Sequence, residues 1–199
     1  MDLIVCFFVG FLFSFLGSIP PGTINITTLQ YSLSGKKLAA ISFAVACAIT
    51  EYLYAGIAVK FQLYLSSNPG ISDNIKIISG IVFLTLGVYN LVKRNSPNQK
   101  EQVNENKSAF KKGVLISLTN PLAIPFWLAI TIYLQSMSLI NLSGHNYLIY
   151  VAGISVGTFA LLFTVIRLGT RFTSIQNNQF VIYRIPGLVF LGMGIYSFV

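Results

Sequence analysis

The stretch Ser18-Ile19-Pro20-Pro21-Gly22-Thr23-Ile24-Asn25 decides how this chain folds. It lies inside an apolar run from Leu3 to Leu33, which is too long for one straight transmembrane span of about 20 residues. Two successive prolines remove two backbone donors and clash with the preceding turn, so a helix cannot pass through them undisturbed. In lipid, the freed carbonyls are tolerated only where protein or a water-filled cavity satisfies them. The sequence therefore predicts a broken helix that is either a packing kink or one wall of a binding site.

The composition indicates an integral membrane protein. Of 199 residues, 54% are hydrophobic and only 9% are charged, and the mean hydropathy is +0.73. A soluble domain carries about 25% charged residues. The longest polar stretch, 93–112, is too short to bury a core of its own, which excludes a soluble catalytic domain. The net charge of +8 is typical of cationic loops beside membrane spans, so we predict no nucleic-acid partner.

Six apolar runs are long enough to cross the lipid bilayer. They are 3–33, 38–59, 75–92, 113–134, 147–168 and 180–199. The first run begins after Asp2, where a signal peptide would be positively charged, and no small-residue cleavage site follows it, so we expect an uncleaved span. Cys6 and Cys47 fall in apolar runs and are interpreted as small buried residues. The prediction is an all-α polytopic membrane protein with one transmembrane domain, 1–199.

The basic residues predict the orientation. Eleven of the 13 lie in or beside the first, third and fifth connections: Lys36, Lys37, Lys93, Arg94, Lys100, Lys107, Lys111, Lys112, Arg167, Arg171 and Arg184. Lys60 and Lys76 flank the second connection, and the fourth has none. The positive-inside rule then places the odd connections in the cytoplasm and both termini outside. His145 falls in the uncharged outer loop and is expected to be solvated.

The third and sixth runs resemble each other closely. Residues 80–89 match residues 187–196 without a gap, with identical glycine, valine, phenylalanine, leucine, glycine and tyrosine at six positions. Apolar helices resemble each other by composition, yet both glycines and the tyrosine in register favour a repeat. Three spans per half would make the repeats inverted. We predict repeat one at about 1–92, a cytoplasmic loop at about 93–112 and repeat two at about 113–199.

A second break supports the same repeat. Asn120-Pro121 interrupts the fourth run as Pro20-Pro21 interrupts the first. Paired broken segments in corresponding positions of two halves point to a transport site near the midplane of the membrane. This pairing favours a binding site over a packing kink, with helices 1 and 4 both interrupted at prolines.

Glu51 is the only acid well inside a span. An ionised group at the centre of a membrane helix costs about 2.5–3.5 kcal/mol on insertion scales, and no basic residue lies at mid-span to neutralise it. Such a residue either stays protonated between helices as a structural acid or faces a hydrated cavity. We favour a side chain that faces the cavity and binds a proton or a cationic substrate group.

Polar residues follow both breaks. At helical spacing Thr23, Thr27 and Gln30 are expected to line one face, beside exposed amides at a helix N-terminus that favours a substrate carboxylate. Threonines also serve as hydrogen-bonded packing between membrane helices, and membrane aromatics such as Tyr54 and Trp127 are often interface anchors. The predicted substrate or ion site consists of Pro21, Gly22, Thr23, Asn25, Glu51, Tyr54, Asn120, Pro121 and Trp127.

Enzymatic and cofactor chemistry have little support in this sequence. A single histidine cannot form a metal cluster, and Ser18 and Ser117 have no base at a plausible membrane depth. A phosphate-binding glycine loop is also missing, which argues against ATP-driven transport by this chain alone. We predict no catalytic residues, no metal and no cofactor.

The order of these motifs resembles the lysine-exporter (LysE-type) translocator superfamily, which includes threonine and homoserine exporters. The resemblance rests on Pro21-Gly22, the basic turn Gly35-Lys36-Lys37, Glu51, Asn120-Pro121 and the following Phe126-Trp127. It covers nearly the whole chain. The pattern departs from the family at three places: Thr23 replaces a proline, Asn25 arrives one place late, and Leu122 replaces a lysine.

The resemblance implies a bacterial inner-membrane exporter of amino acids or related metabolites, driven by the proton gradient. Its partners would be a small-molecule substrate, protons and the lipid bilayer, and a homo-oligomer is left open. Two alternatives remain at this point: an exporter of a metal ion or other small solute, and a membrane scaffold subunit that transports nothing.

Overall fold

The structure is a computed structural model that describes residues 3–20, 22–67, 75–92, 109–120, 123–169 and 184–198, and these form eight helices and no strand. The helices are α1 (Leu3–Gly17), α2 (Thr23–Leu33), α3 (Lys37–Ser66), α4 (Ile75–Val92), α5 (Ala109–Leu118), α6 (Ala123–Ser136), α7 (Asn146–Leu168) and α8 (Ile185–Tyr196). The all-helical prediction is confirmed for this part of the chain.

The first and fourth apolar runs are each divided into two helices, as the prolines predicted. α1 ends at Gly17 and α2 begins at Thr23, while α5 ends at Leu118 and α6 begins at Ala123. The axes of α5 and α6 are inclined by 66°. Pro21, Pro121 and Leu122 lie outside the described residues.

The middle helix of each half of the chain, α3 or α7, is the clearest candidate for a membrane span. α3 and α7 are long and apolar enough to cross a membrane, and α5 with α6 form one further candidate as a bent pair. α1 and α8 are apolar but shorter, with 15 and 12 residues. The described helices therefore include two or three clear candidates for membrane spans.

Two predicted boundaries were wrong. α3 continues past the predicted end at 59 to Ser66, because its buried stripe continues through Gln62 and Leu65 while Lys60 stays on the exposed side. α5 begins at Ala109, so Lys111 and Lys112 belong to a helix instead of the predicted loop. Both errors came from charged residues: Lys60 was interpreted as the end of a helix, and Lys111 and Lys112 were interpreted as part of a loop.

The turn from α2 to α3 ends the first helix cleanly. Gly35 has a positive φ of 74°, a conformation that costs glycine little. The amide of Lys36 donates to the carbonyl of Tyr31 at 3.0 Å and the amide of Gly35 donates to that of Ser32 at 3.1 Å. These two bonds form a Schellman motif, which satisfies carbonyls that the helix end leaves free.

α1 packs against α7, and the two helices run in the same direction. Gly153 faces Phe7 and Phe11, and Gly157 faces Phe11 and Ser14, so contacts advance together along both helices. A Cβ at Gly153 would collide with the backbone of α1. Small residues allow such close approach of membrane helices.

α5 packs against α3 in the same parallel manner. Gly113 of α5 lies on Phe43 and Ala46. Further along both helices, the hydroxyl of Tyr54 donates to the carbonyl of Leu118 at 2.7 Å. The first helix of each broken pair therefore runs alongside the long helix of the other half of the chain.

α4 and α8 cross in antiparallel direction through the two matched segments. The four glycines shared by the two segments pack closely against the opposite segment or the residues beside it: Gly87 against Leu191, Gly194 against Leu84, Gly187 against Leu91 and Gly80 against Phe198. The register that aligns Gly80 with Gly187 converts the first contact into the second and the third into the fourth.

The largest buried cluster joins α1, α3, α4, α6 and α7, with Phe83, Trp127 and Tyr150 at its centre. A second cluster around Phe43 joins α2, α3 and α7. Cys6 and Cys47 are free and buried, as predicted, and His145 is exposed.

Candidate functional site

Both helix breaks line one cavity of about 420 Å³. All eight described helices or the segments between them contribute to its walls. The lining residues are Gly17, Ser18, Pro20, Gly22, Thr23, Ile24, Asn25, Glu51, Leu86, Tyr89, Ile116, Thr119, Asn120, Ala123, Phe126, Trp127, Thr158, Leu162 and Phe190.

Glu51 supplies the only charged side chain among these lining residues. Its Oε1 accepts a hydrogen bond from the indole Nε1 of Trp127, whose side chain is buried in the core. The described residues make no other hydrogen bond to this carboxyl group, so its second oxygen has no hydrogen-bond partner among them. The bond orients the acid with a neutral donor and leaves its charge uncancelled.

Asn25 holds the first break in shape. Its side-chain amide donates to the carbonyl of Ser18 at 2.7 Å and to that of Pro20 at 3.1 Å. The end of α1 leaves these carbonyls without helical partners, and an unpaired buried carbonyl is costly. Asn25 is itself buried. It therefore stabilises the wall of the cavity through the backbone of the break.

The N-terminus of α2 opens into the cavity. Gly22 is the N-cap residue and no side chain caps the helix, and both Gly22 and Thr23 are exposed. The first amides of a helix without a capping side chain form a site that favours negative charge. At the second break, the amide of Asn120 donates to the carbonyl of Ser117 at 3.1 Å, and Asn120 lines the cavity.

Three of the residues singled out from the sequence lie away from the cavity lining. Tyr54 uses its hydroxyl to bond the last residue of α5. Thr27 is buried between helices, and neither it nor Gln30 lines the cavity beside Thr23. Pro21 and Pro121 lie outside the described residues. The remaining predicted residues, Gly22, Thr23, Asn25, Glu51, Asn120 and Trp127, come together at this site.

A row of aromatic rings closes one side of the cavity. Phe126 packs edge to face on Trp127, with ring centroids 4.9 Å apart, and on Phe190 at 5.8 Å. Gly17 allows this arrangement, since a Cβ there would lie 2.8 Å from the ring of Phe126. Phe190 and Tyr89 were not predicted as lining residues, although both lie in the repeated segments, which mark the helices that meet at the cavity.

In the described part of the chain, no three His, Cys, Asp or Glu side chains lie close enough together to hold a metal ion. The polar groups of the cavity are instead one carboxyl group, hydroxyls and amides. Such a set can hydrogen-bond a small polar molecule and hold one positive charge.

Apolar helices of spanning length, with an acid inside a cavity between two helix breaks, indicate a multi-pass membrane protein with a cavity of a size that fits a small solute. The chain belongs to the LysE type translocator family, whose model matches residues 15–199. It is accordingly a membrane exporter of small solutes, as the family implies. Comparison with curated proteins and with solved structures finds no match.

Proposed function

We propose that this protein is a bacterial inner-membrane exporter of amino acids or related small metabolites, driven by the proton gradient. It has six spans in two inverted repeats, with both termini outside and the segment 93–112 in the cytoplasm. The transport site is the cavity between the two breaks, and Glu51 binds the proton or the substrate amine. The observation that carries this proposal is the position of Glu51, the only charged residue among the described cavity lining, between both breaks.

The inverted repeat is supported by contacts that recur in exchanged form. Gly87 contacts Leu191 as Gly194 contacts Leu84, and α1 runs beside α7 as α5 runs beside α3. The parallel direction of these last two pairs agrees with odd spans that run inward and even spans that run outward. Carriers built in this way bind their substrates near the midplane, between the repeats.

An amino acid matches the two polar ends of the cavity. The second oxygen of Glu51 can accept a hydrogen bond from a substrate ammonium group, and the amides at Gly22 and Thr23 can donate to its carboxylate. Phe126 and Phe190 supply an apolar wall for a side chain. Asn120 and the hydroxyl groups of the lining supply further polar contacts for the substrate. The lipid bilayer surrounds the helices.

The scaffold alternative requires the two breaks to be packed in a dry interior. Pro20, Gly22 and Asn120 instead line a cavity, which favours transport. No specific observation favours a metal ion as the transported species.

The function is tested by efflux of preloaded amino acids from cells that express the wild type or Glu51→Gln. The substitution keeps the size of the side chain but removes its charge and its ability to exchange a proton. We expect efflux of at least one amino acid from the wild type and its loss in the variant. Tyr54→Phe is the matched control, because it removes a polar group one turn away on α3 that lies outside the cavity lining.

Two results would contradict the proposal. Equal efflux by the wild type and Glu51→Gln would remove Glu51 from the mechanism, and no efflux of any amino acid would exclude this substrate class. A cysteine at Asn120, probed with a soluble thiol reagent, tests the cavity independently of the substrate. If the protein is a transporter, we expect the reagent to label the cysteine at position 120. Absence of labelling would favour the scaffold alternative.

A further inference from the structure

Phe83 in α4 and Phe190 in α8 occupy equivalent positions of the matched segments, each three residues after the first glycine. Their rings stack on each other, with centroids 6.1 Å apart and planes inclined by 15°. The mirrored glycine contacts of α4 and α8 surround this pair. An exchange of the two helices would therefore place each ring in the position of the other.

The two equivalent rings have different surroundings. Phe83 is fully buried and packs edge to face on Tyr133 of α6, with centroids 5.9 Å apart. Phe190 is only partly buried and lines the cavity. One ring is sealed in the core while its counterpart borders open space.

The same difference extends to the helices around the rings. The register that aligns the two breaks pairs Thr23 with Ala123, α2 with α6, and Leu33 with Tyr133. α4 packs along α6, whereas α8 has no packing of comparable extent on α2 within the described residues. Leu33 is 53% exposed. The missing contact is therefore between α8 and α2, and residues of both helices, Phe190 and Thr23–Asn25, line the cavity.

The cavity also lies toward one membrane face. Its lining residues on α4 are Leu86 and Tyr89, beyond Phe83 and toward Val92. Val92 precedes the basic segment 93–112, which the proposed topology places in the cytoplasm. The cavity therefore faces the cytoplasmic side, and the packing of Phe83 on α6 closes the outer side.

We propose that Phe83 and Phe190 are the outer and inner gates of the transport site and exchange roles during each cycle. This inference rests on the function proposed above. In the state seen here, Phe83 is packed on α6 and Phe190 leaves the site open to the cytoplasm. In the opposite state, Phe190 packs on α2 near Leu33, and Phe83 lines a cavity that opens outward. Because each state buries one equivalent ring, the two states have similar packing, as alternating access requires.

The test uses Thr23→Cys as a reporter, because Thr23 is exposed and lines the cavity. Cys6 and Cys47 are replaced by alanine. A membrane-impermeant maleimide is applied to intact cells and, separately, to inside-out vesicles. With both rings present, we expect labelling in the vesicles and little in intact cells.

The two matched substitutions should then affect labelling in intact cells differently. Phe83→Ala removes packing from the state that is closed outside, so we expect labelling of the reporter in intact cells to rise about tenfold or more. Phe190→Ala loses ring contacts with Phe83 and Phe126 in the state seen here, but it leaves Phe83 packed on α6 to close the outer side, so labelling in intact cells should remain at its low level. Phe83→Leu keeps much of the apolar volume and should give a smaller rise in labelling. This variant replaces Phe83→Ala in the test if the alanine variant does not fold.

Amounts in the membrane and elution as a single species in detergent establish that each variant is folded. A folded Phe83→Ala or Phe83→Leu variant without increased outside labelling would overturn the gate assignment, and so would an equal rise for Phe190→Ala. The readout needs no substrate. A rise in labelling for Phe83→Ala but not for Phe190→Ala, without efflux of any amino acid, would support the gate assignment and refute the substrate class. Amino-acid efflux with unchanged labelling would refute the gate assignment alone.

Discussion

Gly153→Ala tests whether α1 and α7 are packed as closely as the structure indicates. The added Cβ would lie 3.0 Å from the carbonyl carbon of Phe7 and 3.1 Å from the amide nitrogen of Phe11, and closer still to the carbonyl oxygen of Phe7. These are backbone atoms, so no side-chain rotation relieves the overlap and the two helices must separate. Gly56→Ala on α3 is the matched control, because its Cβ meets nothing within 4 Å.

The expected cost follows from the geometry. Overpacking of a close interface costs about 1–3 kcal/mol. Separation also lengthens the hydrogen bond between Ser14 and Thr158, 2.8 Å in the structure, and such bonds contribute about 0.6 kcal/mol in membrane proteins. Both variants share the gain of about 1 kcal/mol from replacing a helical glycine by alanine. The free energies of unfolding should therefore differ by about 1.5–3.5 kcal/mol between Gly153→Ala and Gly56→Ala.

Thermal unfolding in detergent micelles measures this difference through the fluorescence of Trp127, the single tryptophan of the chain. For a chain of this size, each kcal/mol corresponds to about 2–4 °C. Gly153→Ala should melt about 3–14 °C below Gly56→Ala. Equal melting temperatures would mean that α1 and α7 do not approach as closely as described, and the position of the first break relative to α7 would lose its support.

Two further substitutions, with Tyr54→Phe as the comparison for the first, address the site. Asn25→Ala leaves two carbonyls of the first break without their donor and should destabilise the protein by about 1–3 kcal/mol in total, because both belong to half-buried residues. Tyr54→Phe removes a single bond, worth about 0.6 kcal/mol, and a larger loss from it than from Asn25→Ala, measured by thermal unfolding, would contradict this account of the break. Trp127→Phe keeps an aromatic ring but removes the donor to Glu51, and should reduce initial efflux several-fold per amount of folded protein in the membrane, while the smaller ring in the core lowers the calorimetric melting temperature. Full efflux would show that orientation of the carboxyl group by the indole is not needed.

The breaks were predictable because proline acts locally. Pro20-Pro21 and Asn120-Pro121 forbid a continuous helix whatever packs around them, and the helices end and restart beside both pairs. The end of α3 was not predictable in the same way. Lys60 resembles a boundary in sequence, but a single lysine on the exposed side of a helix can extend its charge to the membrane surface.

The contents of the site were only partly predictable. Glu51 was identified because a charge inside a span is costly. Its bond to Trp127 depends on how α3 meets α6, which no local pattern encodes. Thr27 follows Thr23 by one turn, yet it is buried between helices, because packing by neighbouring helices determines which part of a polar face meets the cavity. Phe190 was visible only as a repeat position, and its role depends on the difference between two equivalent environments.

The charge of the site leads to a prediction about coupling. Leu122 stands where the family pattern has a lysine, and Trp127 orients Glu51 without neutralising it. Among the described lining residues no cation competes for this carboxyl group. Under the proposed function, the proton and the substrate ammonium are then alternative occupants, so substrate leaves outward as a proton enters. Acidifying the medium should accelerate efflux by the wild type, measured as initial rates from preloaded cells at a fixed internal pH. Any residual efflux by Glu51→Gln should not depend on external pH, and the same acceleration in this variant would mean that another group carries the proton.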